Sequence, residues 1–84
     1  MSQAEKDQQK ARYRRNMTVA HIREPSRADS IEVMFLESAR FYRLFKSNAH
    51  FGDMLNRLRE AMKTGRALAV SLASPDSDTI EDVG

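Results

Sequence analysis

The sequence predicts a small α+β protein with a five-stranded antiparallel sheet, barrel-like or open and curved, and one packed helix. The first observation is the stretch Ile31–Phe45, IEVMFLESARFYRLF, which has apolar residues on both sides of any strand drawn through it. Such a segment needs cover on two faces, so it marks the core. The second is a helical apolar stripe over residues 48–64. The predicted order of elements is β-β-β-α-β-β.

The size and composition limit the protein to one small domain. The chain has 84 residues, of which 40% are hydrophobic and 31% charged, as expected of a globular protein. It has no cysteine, which excludes disulfides and thiolate metal sites. No apolar run reaches transmembrane length and no secretory signal is evident, so we expect a cytoplasmic protein without membrane contact.

Charge is distributed unevenly, although the net charge is only +2. Residues 1–16 carry five cations against two acids, and residues 74–84 carry four acids and no cation. We interpret 1–16 as a flexible basic head, with nascent helix, and 17–84 as a single α+β domain with an acidic end. The head could bind an anionic partner, attract the acidic end or remain solvated; the sequence leaves these open.

The first strand is predicted at Met17–Arg23, where β-branched and apolar residues are frequent. Pro25 ends this strand, and the Ser and Asp residues that follow are typical of a loop. The chain next enters the core-forming stretch.

That stretch divides best into a hairpin. Ile31–Leu36 and Phe41–Phe45 alternate as strands, and Glu37–Arg40 is short and polar enough for a turn. A helix starting at Ser30 is the alternative, but it would scatter apolar residues over several faces.

The helix is predicted from near Asn48 to Thr64. Its core stripe contains Phe51, Leu55, Leu58 and Met62, with Met54 and Ala61 beside it. Ser47 or Asn48 could cap its start, and Gly65 is placed where a left-handed residue often ends a helix.

Two further strands complete the pattern. Arg66–Ala73 holds Leu68, Val70 and Leu72 at strand spacing. A turn signal over residues 74–78 precedes Thr79–Val83, which we interpret as a short last strand.

This order of elements, over residues 17–83, resembles the OB-fold, a small Greek-key barrel with a helix between its third and fourth strands. The resemblance implies a closed barrel. None of the three glycines, Gly52, Gly65 and Gly84, lies in the first three strands, where barrels commonly bend. An open sheet on one helix is therefore the alternative, and it would leave apolar surface for a second copy of the chain.

No residues form a recognisable catalytic or metal-binding motif. His21 and His50 have no His, Glu or Cys at ligand spacing, so we interpret both as structural. The acidic end lacks the remaining ligands of a calcium loop. We therefore expect no enzymatic activity, no catalytic residue, no metal and no cofactor.

Cations interleaved with aromatic residues are the remaining signal. Arginine neutralises phosphates and aromatic rings stack on bases, so these residues suggest weak binding of single-stranded nucleic acid. In strand alternation Arg40, Tyr42 and Lys46 share a face. The candidate nucleic-acid-binding residues are Arg12, Tyr13, Arg14, Arg15, Arg40, Tyr42 and Lys46.

Two interpretations of the function follow. The first is a non-catalytic binding module that holds nucleic acid through this basic and aromatic face. The alternative is a protein-interaction or homo-oligomerisation module, which the low net charge favours. In a plainer interpretation of the cluster, Phe41 and Phe45 belong to the core, Tyr42 is half-buried and the cations only aid solubility.

Overall fold

The computed structural model describes residues 13–84 as five strands and one helix. In chain order they are β1 (Tyr13–Arg23), β2 (Ser30–Phe35), β3 (Phe41–Phe45), α1 (Phe51–Thr64), β4 (Ala67–Leu72) and β5 (Ile80–Val83). The α+β class and the order of elements are confirmed.

Strand β1 lies at the centre of the antiparallel sheet, whose strand order is β3-β2-β1-β4-β5. Its first half pairs with β4, from Tyr13 opposite Leu72 onward, and its second half pairs with β2, with Ile22 opposite Val33. The register shifts between Val19 and His21, where the strand changes its neighbour. Such an irregularity bends a strand and increases its twist. The two halves of the sheet therefore curve toward one face.

The sheet is open, so the barrel-like alternative is wrong. Its two edges come close where the Arg43 amide donates to the Asp78 carbonyl oxygen at 2.8 Å. Among residues 13–84 an isolated bridge between Arg43 and Thr79 joins the edges, and it does not extend into a ladder. Closing a barrel needs a continuous ladder between the edge strands. The OB-fold resemblance itself stays a prediction.

Helix α1 covers the concave face and follows the predicted stripe with one exception. Leu55 and Leu58 are buried, whereas Met62 is 40% exposed and does not belong to the stripe. Gly65 ends the helix with φ 75°, a conformation that glycine adopts without steric cost. At the other end, Asn48 Oδ1 accepts the His50 amide at 2.8 Å just before the helix begins.

The core is one cluster between α1 and the sheet. Every strand and the helix contribute to it, and the buried apolar residues are Met17, Val19, Ile31, Val33, Phe35, Tyr42, Leu44, Met54, Leu55, Leu58, Ala61, Leu68, Val70, Leu72, Ile80 and Val83.

The predicted boundary at residue 17 differs from the observed one. β1 begins at Tyr13, so residues 13–16 lie in the sheet, where they pair with β4. The remainder of the predicted head, residues 1–12, lies outside the described residues. Within residues 13–84 no helix is both long and apolar enough to cross a membrane. The cytoplasmic location stays a prediction.

Replacing Leu58 by alanine should lower the free energy of unfolding by about 2–5 kcal/mol, because the side chain is fully buried and its removal leaves a cavity. Met62→Ala on the same helix is the matched control and should change it by about 0.5 kcal/mol or less. Urea unfolding of both variants measures the difference. Equal losses would mean that α1 packs through another face.

Candidate functional site

The structure does not gather the predicted nucleic-acid-binding residues into one site. Arg12 lies outside the described residues. Tyr13, Arg14 and Arg15 begin β1, whereas Arg40 immediately precedes β3, Tyr42 lies within β3 and Lys46 follows its end. The described members contact different parts of the chain, as their partners show.

Tyr42 is the clearest correction, because it is 1% exposed and lies in the core. It lies directly opposite Val33 in the ladder between β2 and β3, as Leu44 lies opposite Ile31. Directly opposite residues share a face of the sheet, so Tyr42 and Leu44 point toward α1. The Tyr42 ring meets Phe35 edge to face, with 5.3 Å between the ring centroids. It is therefore unavailable for stacking on a base.

Arg40 binds carbonyl groups of the loop between β4 and β5. Its Nη2 atom donates to the Pro75 carbonyl oxygen at 2.8 Å, and Nη1 donates to that of Asp76 at 3.2 Å. The guanidinium also lies 5.3 Å from the centroid of the Tyr42 ring. Through these contacts Arg40 connects the turn between β2 and β3 to the loop between β4 and β5.

Two of the other candidate cations, Arg14 and Lys46, contact a neighbouring strand or loop. Arg14 Nε donates to the Ser71 hydroxyl at 3.2 Å across the β1–β4 pair. Lys46 Nζ donates to the Pro25 carbonyl oxygen at 3.4 Å. Tyr13 is partly exposed at the start of β1. Arg14 and Lys46 therefore serve separate contacts.

The surface that stands out is the β2–β3 tip, defined here as residues 36–41. Leu36 is 71% exposed and Phe41 is 41% exposed. The plainer interpretation of the sequence, with Phe41 in the core and Tyr42 half-buried, is wrong for both residues, because Tyr42 is buried and Phe41 lies on the opposite face of β3. The Arg23 guanidinium lies 6.0 Å from the Phe41 ring centroid. Two large apolar side chains are thus presented at one end of a hairpin.

The tip is held against β1 through Glu37. Its carboxylate accepts the Thr18 amide at 2.7 Å and the Thr18 hydroxyl at 2.8 Å. The Leu36 amide in turn donates to the Thr18 carbonyl oxygen at 2.9 Å. The backbone hydrogen bond from Thr18 lowers the pKa of Glu37 below its ordinary value.

The tip is also held from inside the core. The Tyr42 hydroxyl donates to Ser38 Oγ at 3.0 Å and accepts Arg40 Nε at 3.5 Å. Burial raises the pKa of Tyr42, but its hydrogen bonds with Ser38 and Arg40, together with the charges of Arg40 and Arg15, outweigh this effect, and the pKa is lowered. The hydrogen bond to Tyr42 raises the pKa of Arg40, which stays charged. Three sets of contacts therefore hold the tip in place. They are the hydrogen bonds of Glu37 with Thr18, those of the Tyr42 hydroxyl, and those of Arg40 with the loop between β4 and β5.

The histidines, which the sequence offers as candidates for catalysis or metal binding, lie at the surface. His21 and His50 are both exposed. Within residues 13–84 no three His, Cys, Asp or Glu side chains are grouped so that they could hold a metal ion.

The fold resembles part of two solved structures. One is titled a crystal structure of pro- protein-glutaminase, with TM-score 0.69 and 25% identity, and it is matched over 81% of this chain and 23% of that chain. The other is the A47Q2 mutant of pro- protein-glutaminase, with TM-score 0.68, 24% identity and the same coverage. This chain thus spans about a quarter of the length of these proteins. No family model matches the sequence, and no curated protein matches it.

These similarities contradict the function predicted from the sequence. The likeness to part of pro- protein-glutaminase contradicts the expected non-catalytic binding module, whether for nucleic acid or as a protein-interaction or homo-oligomerisation module. The same likeness contradicts the expectation of no enzymatic activity. The pairing of two copies of this chain stays a prediction.

Glu37→Gln should reduce stability at neutral pH but not in acid. The pKa of Glu37 is lowered in the fold, so its stabilising effect is complete above the unfolded pKa, about 4.3 for glutamate. It is lost as the pH falls through the lower, folded value. Unfolding curves of both proteins from neutral pH downward measure this, and a constant difference at every pH would contradict it.

Tyr42→Phe should cost about 1 kcal/mol of unfolding free energy, because it removes only the hydroxyl that joins Ser38 and Arg40. Tyr42→Ala should cost about 3–5 kcal/mol, because it also empties the space of the ring. Urea unfolding of both variants measures the two losses in unfolding free energy. A near-neutral Tyr42→Ala would mean that the ring lies outside the core.

Proposed function

We propose that this chain acts as a domain of an enzyme precursor of the protein-glutaminase kind and restrains the catalytic part of that precursor. The observation that carries the proposal is the similarity to pro- protein-glutaminase, which extends over 81% of the chain at 25% identity. The prefix in the name pro- protein-glutaminase denotes a precursor, and the matched portion is 23% of the length of that protein.

The β2–β3 tip supports the restraining role. Leu36 and Phe41 offer apolar contact area at the end of a hairpin. Glu37 and Arg40 hold this area in place through contacts with β1 and with the loop after β4. An ordered surface loses little conformational entropy on binding, so more of its contact energy appears as affinity. The tip is therefore the surface that we assign to the catalytic part.

The proposal predicts an effect on the release of ammonia from glutamine side chains of a protein substrate. Purified chain, added in increasing amounts to mature protein-glutaminase acting on casein, should lower the rate in a saturable manner. A rate that does not change at any concentration would contradict the restraining role. Ammonia release by the chain alone would instead assign it to the catalytic part.

A pair of variants locates the surface. Leu36→Asp should weaken the inhibition by about tenfold or more, because it places a charge in the centre of the proposed contact. Met62→Asp is the matched control, since Met62 is an exposed apolar residue on α1, and it should inhibit like the unmodified chain. Equal effects of the two variants would exclude the tip as the contact.

A further inference from the structure

The loop between β4 and β5, residues 73–79, joins the two edges of the open sheet. The Arg43 amide of β3 donates to the Asp78 carbonyl oxygen at 2.8 Å, and Arg43 forms an isolated bridge with Thr79. Beside this bridge a cavity of about 370 Å³ lies between the edges, lined by Phe45 at the end of β3 and by Ile80 in β5. The edges are therefore in contact at the bridge and apart beside it. We call the contact between β3 and this loop the seam.

Arg40 strengthens the seam from the β2–β3 tip, to which it belongs. Besides its contacts with Pro75 and Asp76, its Nη2 atom donates to the Ser77 carbonyl oxygen at 3.4 Å. One guanidinium thus holds three successive carbonyl groups, which suits a planar group with several donors. These hydrogen bonds are exposed to solvent. Such bonds open locally more readily than those of a buried ladder.

The same side chain connects the seam to the rest of the tip. Its Nε atom donates to the Tyr42 hydroxyl, and that hydroxyl donates to Ser38 Oγ. The Tyr42 ring packs against Phe35 in the core, so the hydroxyl is a fixed point between the guanidinium and Ser38. Loss of the loop carbonyls would free the guanidinium to rotate and would leave the hydroxyl with Ser38 alone. The position of the loop is therefore linked to the order of the tip.

We propose that the seam is a latch that controls the tip. The structure shows the closed form, in which the loop holds Arg40 and Arg40 helps to hold Ser38. In the open form the hydrogen bonds of Arg40 and Arg43 to the loop break together, and the tip keeps its attachment to β1 through Glu37. A less ordered surface loses more conformational entropy on binding, so opening lowers the affinity of the tip. The effect on a catalytic part rests on the proposed function, whereas the link between loop and tip does not.

Amide hydrogen exchange of the full chain, followed by NMR, tests this link. The Arg43 amide donates to Asp78 and the Ser38 amide donates to Phe35, so each is protected while its hydrogen bond is intact. Arg40→Gln removes the guanidinium and should raise the exchange rates of both amides by about tenfold. Amides of the β1–β4 ladder should exchange as before. An unchanged rate at either amide, or an equal rise throughout the sheet, would overturn the latch.

Two further variants show whether the shape or the charge of Arg40 matters. Arg40→Lys keeps the charge but cannot reach the loop carbonyls and the Tyr42 hydroxyl together, so it should raise exchange as Arg40→Gln does. Rates like those of the unmodified chain would overturn the carbonyl contacts as the basis of the latch. Arg59→Gln is the matched control, because Arg59 holds Glu24 in another loop, and it should change neither amide. A rise equal to that of Arg40→Gln would also overturn the latch.

Inhibition of mature protein-glutaminase by the chain tests the consequence for the tip. Arg40→Gln should weaken the inhibition by about threefold or more, and Arg59→Gln should inhibit like the unmodified chain. Raised amide exchange with undiminished inhibition by Arg40→Gln would overturn the control of the tip. If the unmodified chain does not inhibit, the proposed function fails, and the exchange rates alone decide whether the latch exists.

Discussion

The pairing of β1 with both of its neighbours is the constraint on which the rest of the structure depends. Its first half forms the ladder with β4 and its second half the ladder with β2, with a shift of register between Val19 and His21. Both hairpins are therefore oriented by a single bent strand, and α1 fills the concave side that the bend creates. Thr18 lies beside this shift, and the β2–β3 tip is attached to it through Leu36 and Glu37. The position of the candidate site is thus a consequence of the bend in β1.

Much of this fold could be predicted from periodicity, but the face of β3 that packs into the core could not. Helix α1 shows a clear apolar stripe, and Gly65 marks its end, so its bounds were close to those observed. In β3, alternation separates Phe41 from Tyr42 without saying which residue is inside, since both are aromatic. The register with β2 decides it by placing Tyr42 opposite the buried Val33. That register depends on pairing between strands, which periodicity within one strand does not contain.

The candidate site was missed for a related reason. Arg40 and the Pro75 carbonyl are 35 positions apart, and Glu37 and Thr18 are 19 apart. Such contacts leave no local pattern, so the sequence suggests Arg40 only as a cation for binding nucleic acid or aiding solubility, whereas it holds the tip in place. The one local signal was a polar turn flanked by Leu36 and Phe41, which is common in ordinary hairpins. The likeness to part of pro- protein-glutaminase became visible only in the arrangement of elements in space.

The central claim is that the β2–β3 tip contacts the catalytic part of a protein-glutaminase-like enzyme. The most direct measurement is a methyl NMR spectrum of the chain with labelled leucines, before and after addition of unlabelled mature protein-glutaminase. The account predicts that the Leu36 methyl signals, from an exposed side chain, shift or broaden in preference to those of the fully buried Leu58. Unchanged Leu36 signals at saturating enzyme, or changes confined to leucines of other elements, would contradict it.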